Sequence, residues 1–297
     1  SANCGLYCGA KVDFVDIDPK TYNMSVEELE IKLITAKKEN KLPKVIIPVH
    51  FAGQSCDMKK IHSLSQEYGF KIIEDASHAI GGKYLEKSIG GCQFSDITVF
   101  SFHPVKIITT AEGGLATTNS KKLAEKMRIF RSHGITRNNE LMSKNADGGW
   151  YYEQIDLGFN YRMNEIQAAL GVSQMERLDN FILIRQNIQK RYDSLLSGLS
   201  IIKPFQHKDS SSAMHLYPIL IDLESISKSR KQVFDELKGM GIGVNIHYIP
   251  IHKQPYFSML GFNVGDYPNA EAYYERTISI PLFHSMSKQQ QDEVYNA

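Results

Sequence analysis

Between Pro43 and Phe102 the chain alternates continuous apolar runs with stretches of helical character, and that alternation restricts the folds open to it. Lys44-Val45-Ile46-Ile47-Pro48-Val49, Phe70-Lys71-Ile72-Ile73-Glu74-Asp75 and Ile97-Thr98-Val99-Phe100-Ser101-Phe102 read as strands. Apolar runs of this kind belong to mostly parallel sheets, covered on both faces and connected by helices. The helices carry their own punctuation. Ser25-Val26-Glu27-Glu28 is an S-x-x-E capping box, which predicts a helix to about Lys38. Asp57 caps a second helix to about Tyr68, and Gly69 ends it. Lys11–Ile17 and Gly113–Thr118 add strand signals, and Lys121–Ser132 an amphipathic helix. A long helical stretch runs from Asn164 to about Leu196, with a break near Asp179. Past Gly198 the character changes to a strand (Met214–Asp222), a helix (Ser229–Met240) and a strand (Val244–Ile249). The expected fold class is α/β. A large domain over residues 1–197 has a mostly parallel sheet covered by helices, and a smaller α+β domain covers 198–297.

Composition removes several function classes. Lys+Arg is 34 and Asp+Glu is 33, so a net charge of +1 gives no electrostatic footprint for nucleic acid or an anionic membrane. No apolar run approaches the roughly 20 residues of a membrane span. Cys4, Cys8, Cys56 and Cys92 form no CxxC pair and no zinc spacing, and they read as the reduced thiols of a cytoplasmic enzyme. Ser1-Ala2-Asn3-Cys4 opens without a signal peptide. Both ends read as cut, so the chain is expected to be an internal piece of a longer protein. GxGxxG, GxxxxGK[ST], HExxH and GxSxG are all missing, which takes away the usual fingerprints of dehydrogenases, P-loop enzymes, zincins and α/β-hydrolases.

What remains is a lysine in an apolar setting. Lys106 follows Ser101-Phe102-His103-Pro104-Val105 and precedes Ile107-Ile108. Desolvation lowers the pKa of an ammonium, and a neutral amine attacks carbonyls. Asp75 ends an earlier apolar run, and ligands in open α/β sheets sit beyond the carboxyl ends of the strands. An amine for an aldehyde and an acid for a pyridinium nitrogen are the pair that pyridoxal 5′-phosphate (PLP) requires. Read alone, Asp75 is equally a turn or cap acid. Ser101 is a phosphate donor or merely an ST-turn, and His78 is a ring contact or a structural histidine. Gly158-Phe159-Asn160-Tyr161-Arg162-Met163-Asn164 is an anion-binding helix start or a capped aromatic turn. His247-Tyr248-Ile249-Pro250 with His252 lines a pocket or is a strand and turn.

Together the motifs resemble a known family. Glu74-Asp75-Ala76-Ser77-His78-Ala79, Ser101 to Lys106 running into Thr109-Thr110-Ala111-Glu112-Gly113-Gly114, and Gly158 to Met163 are similar to the nucleotide-sugar aminotransferases of the DegT/DnrJ/EryC1/StrS family, across essentially the whole chain. Pro48 to Gln54, Trp150 to Gln154, His215 to Leu220 and His247 to Tyr256 most resemble the pseudaminic acid branch. The resemblance implies the type I (aspartate aminotransferase-like) fold of PLP-dependent transferases. It implies transfer of an amino group from L-glutamate to C4 of a UDP-4-keto-6-deoxy-N-acetylhexosamine. Lys106 would hold the cofactor aldehyde and move the proton. Asp75 would pair the pyridine nitrogen, His78 would lie near the ring oxygen, where many relatives have glutamine, and Ser101 would bind the cofactor phosphate. Asn160 would reach the phosphate of a neighbouring subunit, giving a homodimer with shared active sites. Relatives also begin with a further N-terminal part that carries a Gly-Thr phosphate loop. Two other readings stand beside this one: a sugar-dehydrating relative, in which histidine replaces the lysine, and a non-catalytic sugar-nucleotide binder.

Overall fold

The computed structural model describes residues 1–297. After a short helix α1 (Ala2–Tyr7) the chain runs irregularly to α2 (Val26–Lys38). Lys11–Ile17, expected as a strand, contributes only one bridge, Ile17 to Met24. Aspartates explain the difference. Asp13, Asp16 and Asp18 side chains accept backbone N–H bonds from Phe14, Ile17 and Thr21, which competes with ladder formation. Asp16 also accepts from the N–H groups of Asn269 and Ala270, so this segment caps a late helix instead of joining a sheet.

The next elements are β1 (Val45–Ile46), α3 (Met58–Tyr68), β2 (Lys71–Asp75), β3 (Lys83–Tyr84), β4 (Lys87–Ser88), β5 (Ile97–Ser101) and β6 (Gly114–Thr117). Ser25 and Asp57 cap α2 and α3 as their spacing predicts, and Gly69 closes α3 at φ 81°. One sheet has the order β1-β2-β5-β6. Its first three strands are parallel, and β6 is antiparallel to β5. Leu29 and Leu33 of α2 and Ile61 and Leu64 of α3 pack on Ile46 and Ile72, so both helices cover the same face. Burying this apolar set is the main stabilising term of the half-chain. The other face, with Val45 at 44% exposure and Val99 at 36%, is only partly covered by the chain's own residues, not dry on both sides as the apolar runs suggest. Asp75 lies on that open face.

α4 (Lys121–Arg131) leads to a small hairpin, β7 (Ile135–Thr136) with β8 (Glu153–Gln154). The long helical stretch is two helices, α5 (Glu165–Met175) and α6 (Leu178–Leu195). The break falls at Glu176–Arg177, and Asp179 sits in the first turn of α6, where a carboxylate favours the helix dipole. Then follow β9 (Ile201–Ile202), β10 (Ser210–Ser211), β11 (Tyr217–Ile221), α7 (Arg230–Gly239), α8 (Pro255–Ser258), α9 (Pro268–Arg276), β12 (Thr277–Ile280) and α10 (Lys288–Asn296). A second, antiparallel sheet has the order β12-β11-β9, while β10 pairs with β3. Val244–Ile249, expected as a strand, gives only a bridge from Asn245 to Ser279 and then leaves the sheet.

α6 joins the two cores. Leu178, Phe181 and Ile182 pack with Ala76, Phe100 and Ile108, while Ile188 and Tyr192 pack with Tyr217, Ile219 and Ile278. Between these sets lies Arg185, 4% exposed, whose Nη1 donates to the carbonyls of Met214, His215 and Leu282.

Candidate active site

The site forms at the carboxyl ends of β2 and β5. Asp75 closes β2, with its N–H donating to Pro48 O at 2.9 Å and its carbonyl accepting from His50 N–H at 3.0 Å. Its Oδ1 accepts from the Ser77 N–H (3.1 Å) and hydroxyl (2.6 Å), and its Oδ2 from the Ser1 hydroxyl (2.5 Å). Burial pushes this carboxyl toward the neutral form. The hydrogen bonds from Ser1 and Ser77 outweigh burial and hold it below the usual carboxylate range.

Lys106 lies in the turn that follows β5. Its N–H donates to His103 O at 2.9 Å, and Thr110 N–H donates to Phe102 O at 3.0 Å. Ile107 and Ile108, 3% and 1% exposed, anchor the turn in the core. The Lys106 side chain is half-buried, and its amine makes no hydrogen bond or ion pair. Burial lowers its pKa, against the opposing pull of the Asp75 charge. In the folded chain the Lys106 amine is thus partly desolvated and feels the charge of Asp75.

His78 is 7% exposed, with Nε2 3.4 Å from the Tyr248 hydroxyl and its ring centroid 4.4 Å from that of His215. The Nδ1 atoms of both histidines are buried without a partner. Burial, assisted by the Lys106 charge, lowers His78 to about 3. His215 is also pushed well down, by burial and then by His78. His78 therefore has a pH signature. Below pH 6.5 the unfolded chain takes up a proton that the folded protein refuses until about pH 3. Stability contributed by the neutral ring is complete above pH 6.5 and falls through that window, by about 1.4 kcal/mol per pH unit. Melting of the apoprotein at pH 7.5 and 5.5 is expected to show the drop, and His78→Gln is expected to shrink it.

Ser101 and Asp75 share the open face of the sheet through the register Asp75↔Val99. Ser101 Oγ accepts only a long 3.5 Å bond from His103 N–H, which leaves its hydroxyl proton free. Asn160 is exposed, bridged to Ser132, and shares no hydrogen bond or ion pair with the Lys106 cluster of its own chain. Its segment is held by a close approach of two glycines. A Cβ on Gly158 would lie 1.9 Å from Gly134 N, and one on Gly134, at φ 73°, would lie 1.8 Å from Asp156 O. Gly158→Ala is expected to cost about 2 kcal/mol or more and to displace Phe159–Tyr161, checked by melting and by the fluorescence of Trp150.

Tyr248 meets His78 from the segment between α7 and α8, and the neighbouring His247 lies 2.8 Å from the Ser279 hydroxyl. His215 was missed as a site residue. Its signal was a histidine inside the apolar run Met214-His215-Leu216-Tyr217. No cluster of His, Cys, Asp and Glu could hold a metal ion. No helix is long and apolar enough to cross a membrane. The residues present fit PLP: an unpaired, desolvated amine, an ionised carboxylate and a buried imidazole with an orphaned nitrogen.

Comparisons with known proteins agree. The family model described as DegT/DnrJ/EryC1/StrS aminotransferase family matches residues 1–297. The spore coat polysaccharide biosynthesis protein SpsC of Bacillus subtilis is 37% identical over 100% of this chain and 75% of its own length. The UDP-4-amino-4,6-dideoxy-N-acetyl-beta-L-altrosamine transaminase of Campylobacter jejuni is 35% identical over 97% of this chain and 72% of its own. Among solved structures, Helicobacter pylori PseC, an aminotransferase involved in the biosynthesis of pseudoaminic acid, superimposes with a TM-score of 0.88 at 31% identity, covering 99% of this chain and 74% of that one. With the type I transferase fold, the amine and acid at adjoining strand ends and a family match along its whole length, the chain belongs to the DegT/DnrJ/EryC1/StrS family and is a PLP-dependent sugar aminotransferase.

Proposed function

We propose that the chain transfers an amino group from L-glutamate to C4 of a UDP-4-keto-6-deoxy-N-acetylhexosamine, as in pseudaminic acid-type sugar biosynthesis. The observation that carries the chemistry is the desolvated Lys106 amine, free of hydrogen bonds within the field of ionised Asp75. The substrate class is supported by the likeness to the C. jejuni enzyme and to PseC.

PLP, when bound, supplies an aldehyde for amines and a ring that accepts the electrons left on carbon when a proton departs. Lys106 would hold that aldehyde through its amine. Once displaced, the same amine, its pKa lowered by burial, would take the proton from the donor's α-carbon and return it to the carbon of the cofactor that had carried the aldehyde. Asp75 would keep the ring nitrogen protonated. His78, neutral through burial, would offer its free nitrogen to the ring's oxygen. Ser101, whose hydroxyl proton is unengaged, would donate a hydrogen bond to the phosphate.

The chain on either side of Asn160 exposes several large apolar side chains: Trp150 is 73% exposed, Leu157 83%, Tyr161 72%, Ile166 84% and Val172 63%. Exposed patches of this kind mark subunit contacts. They support a homodimer in which Asn160 completes the phosphate site of the neighbouring subunit. Ile166→Glu combined with Val172→Glu is expected to convert dimer to monomer in light scattering and to reduce activity at least about tenfold.

The likeness to SpsC favours a second reading, in which a different nucleotide-linked keto-sugar is the acceptor. Incubating the purified protein with glutamate and a panel of UDP-, GDP- and dTDP-linked 4-keto sugars, with products followed by mass, decides. Amination of the UDP-N-acetyl sugar alone supports the first reading, and preference for another nucleotide overturns it.

A further inference from the structure

Glu74, one residue before Asp75, is 5% exposed and has no part in the chemistry above. Side chains alternate along a strand, so it points away from Asp75 into the dry face of the sheet. Its carboxylate is ringed by donors. His50 Nε2 lies 2.7 Å from Oε2, the Thr98 hydroxyl donates to Oε1 at 3.0 Å, and the Ser95 hydroxyl donates to Oε1 as well. His50 is fully buried, and its other nitrogen is engaged as well. Cys56 N–H donates to Nδ1 at 3.2 Å. Glu74 is an ionised buried carboxylate with no lysine or arginine against it. Such a charge is costly, and it persists only where donors converge on it. Burial pushes Glu74 up, and bonds from His50, Ser95 and Thr98 bring it below the usual carboxylate range. His50 also reaches Asp75 directly, through the backbone bond from its N–H to Asp75 O at 3.0 Å. One residue therefore holds Glu74 by its side chain and Asp75 by its main chain.

We propose that His50 and Glu74 are a positioning pair for Asp75: the buried charge of Glu74 strengthens the grip of Asp75 on the protonated ring nitrogen of PLP, and His50 maintains both that charge and the strand end. The inference rests on the role proposed for Asp75. At an effective dielectric of about 20, a unit charge within about 10 Å changes such a proton's affinity by roughly tenfold.

The test uses the full chain as wild type, Glu74→Gln, His50→Gln and Asp75→Asn. For each, the PLP dissociation constant is measured by titration, together with the pH midpoint of the visible band of bound PLP and the melting of the apoprotein. Glu74→Gln is isosteric and keeps groups that can bond Ser95, Thr98 and His50, so it removes charge and little else. It is expected to weaken PLP binding roughly tenfold and to move the midpoint to lower pH by about one unit, with melting close to wild type. His50→Gln is expected to shift both in the same direction, and it carries the test should Glu74→Gln fail to fold. Wild-type affinity and midpoint in both variants overturn the inference, as does lowered melting with an unmoved midpoint, which marks a structural staple. If the wild type binds no PLP, or Asp75→Asn binds it as tightly as wild type, the role of Asp75 falls, and this inference with it.

Discussion

Lys106→Ala is expected to reduce transamination by roughly a thousandfold or more while the protein folds normally. The rate loss follows from removing both the amine that holds the aldehyde and the base that moves the proton, either of which contributes orders of magnitude. The unchanged fold follows from the environment. Burial lowers the Lys106 pKa, and the amine has no hydrogen bond or ion pair, so its charge is a burden on the folded state. Melting of the variant is expected to match or exceed wild type. Borohydride is expected to fix PLP covalently to the wild type and not to the variant. Normal turnover in Lys106→Ala would remove the lysine from the mechanism.

Arg185→Met is expected to produce the largest loss of stability of any single substitution considered. The guanidinium is 4% exposed and has no carboxylate partner; burial has brought its pKa down to about 10. It is held by the carbonyls of Met214, His215 and Leu282 at 3.2–3.4 Å. Two effects oppose. Removing a buried cation relieves a desolvation cost, and Nε, which has no partner, adds to that relief. Against it stand three orphaned carbonyls in a dry interior, at about 1–3 kcal/mol each. The orphaned acceptors win, with a net loss of about 3 kcal/mol and a fall in melting temperature of roughly 5–10 °C. Arg185→Lys, with a charge but no fork, should lie between. A melting temperature unchanged in Arg185→Met would mean that the carbonyls find other donors. Because two of these carbonyls, Met214 and His215, belong to the segment that carries the His215 side chain, substrate affinity is expected to fall with stability.

Much of the fold was legible where local chemistry acts over a few residues. The caps Ser25 and Asp57 and the stop at Gly69 mark helix ends, and the structure places those ends there. The runs ending at Asp75 and Ser101 became the parallel strands that carry the site. The misreadings share a cause. Lys11–Ile17 and Val244–Ile249 have the composition of strands, yet pairing depends on a partner edge, and here Asp16 is engaged by α9 while only Asn245 finds Ser279. The hairpin of β3 and β4 and its pairing with β10 bring Tyr84 to Ser210, a separation in sequence that no local pattern encodes.

The candidate site divides the same way. Asp75 and Ser101 stood out as candidates because each ends an apolar run at one rim of a parallel sheet, and Lys106 because it is a lysine in the apolar turn that follows. The meeting of His78 with His215 and Tyr248, the hold of His50 on Glu74 and the bond between Arg185 and the His215 carbonyl were not recoverable. From sequence alone came the elements, the amine and the acid, since helix caps, strand composition and an out-of-place lysine are properties of short segments. Tertiary structure alone decided which face Asp75 occupies, how far Lys106 is desolvated and which histidines stay neutral, because exposure, fields and hydrogen-bond partners are set by residues brought together from distant parts of the chain.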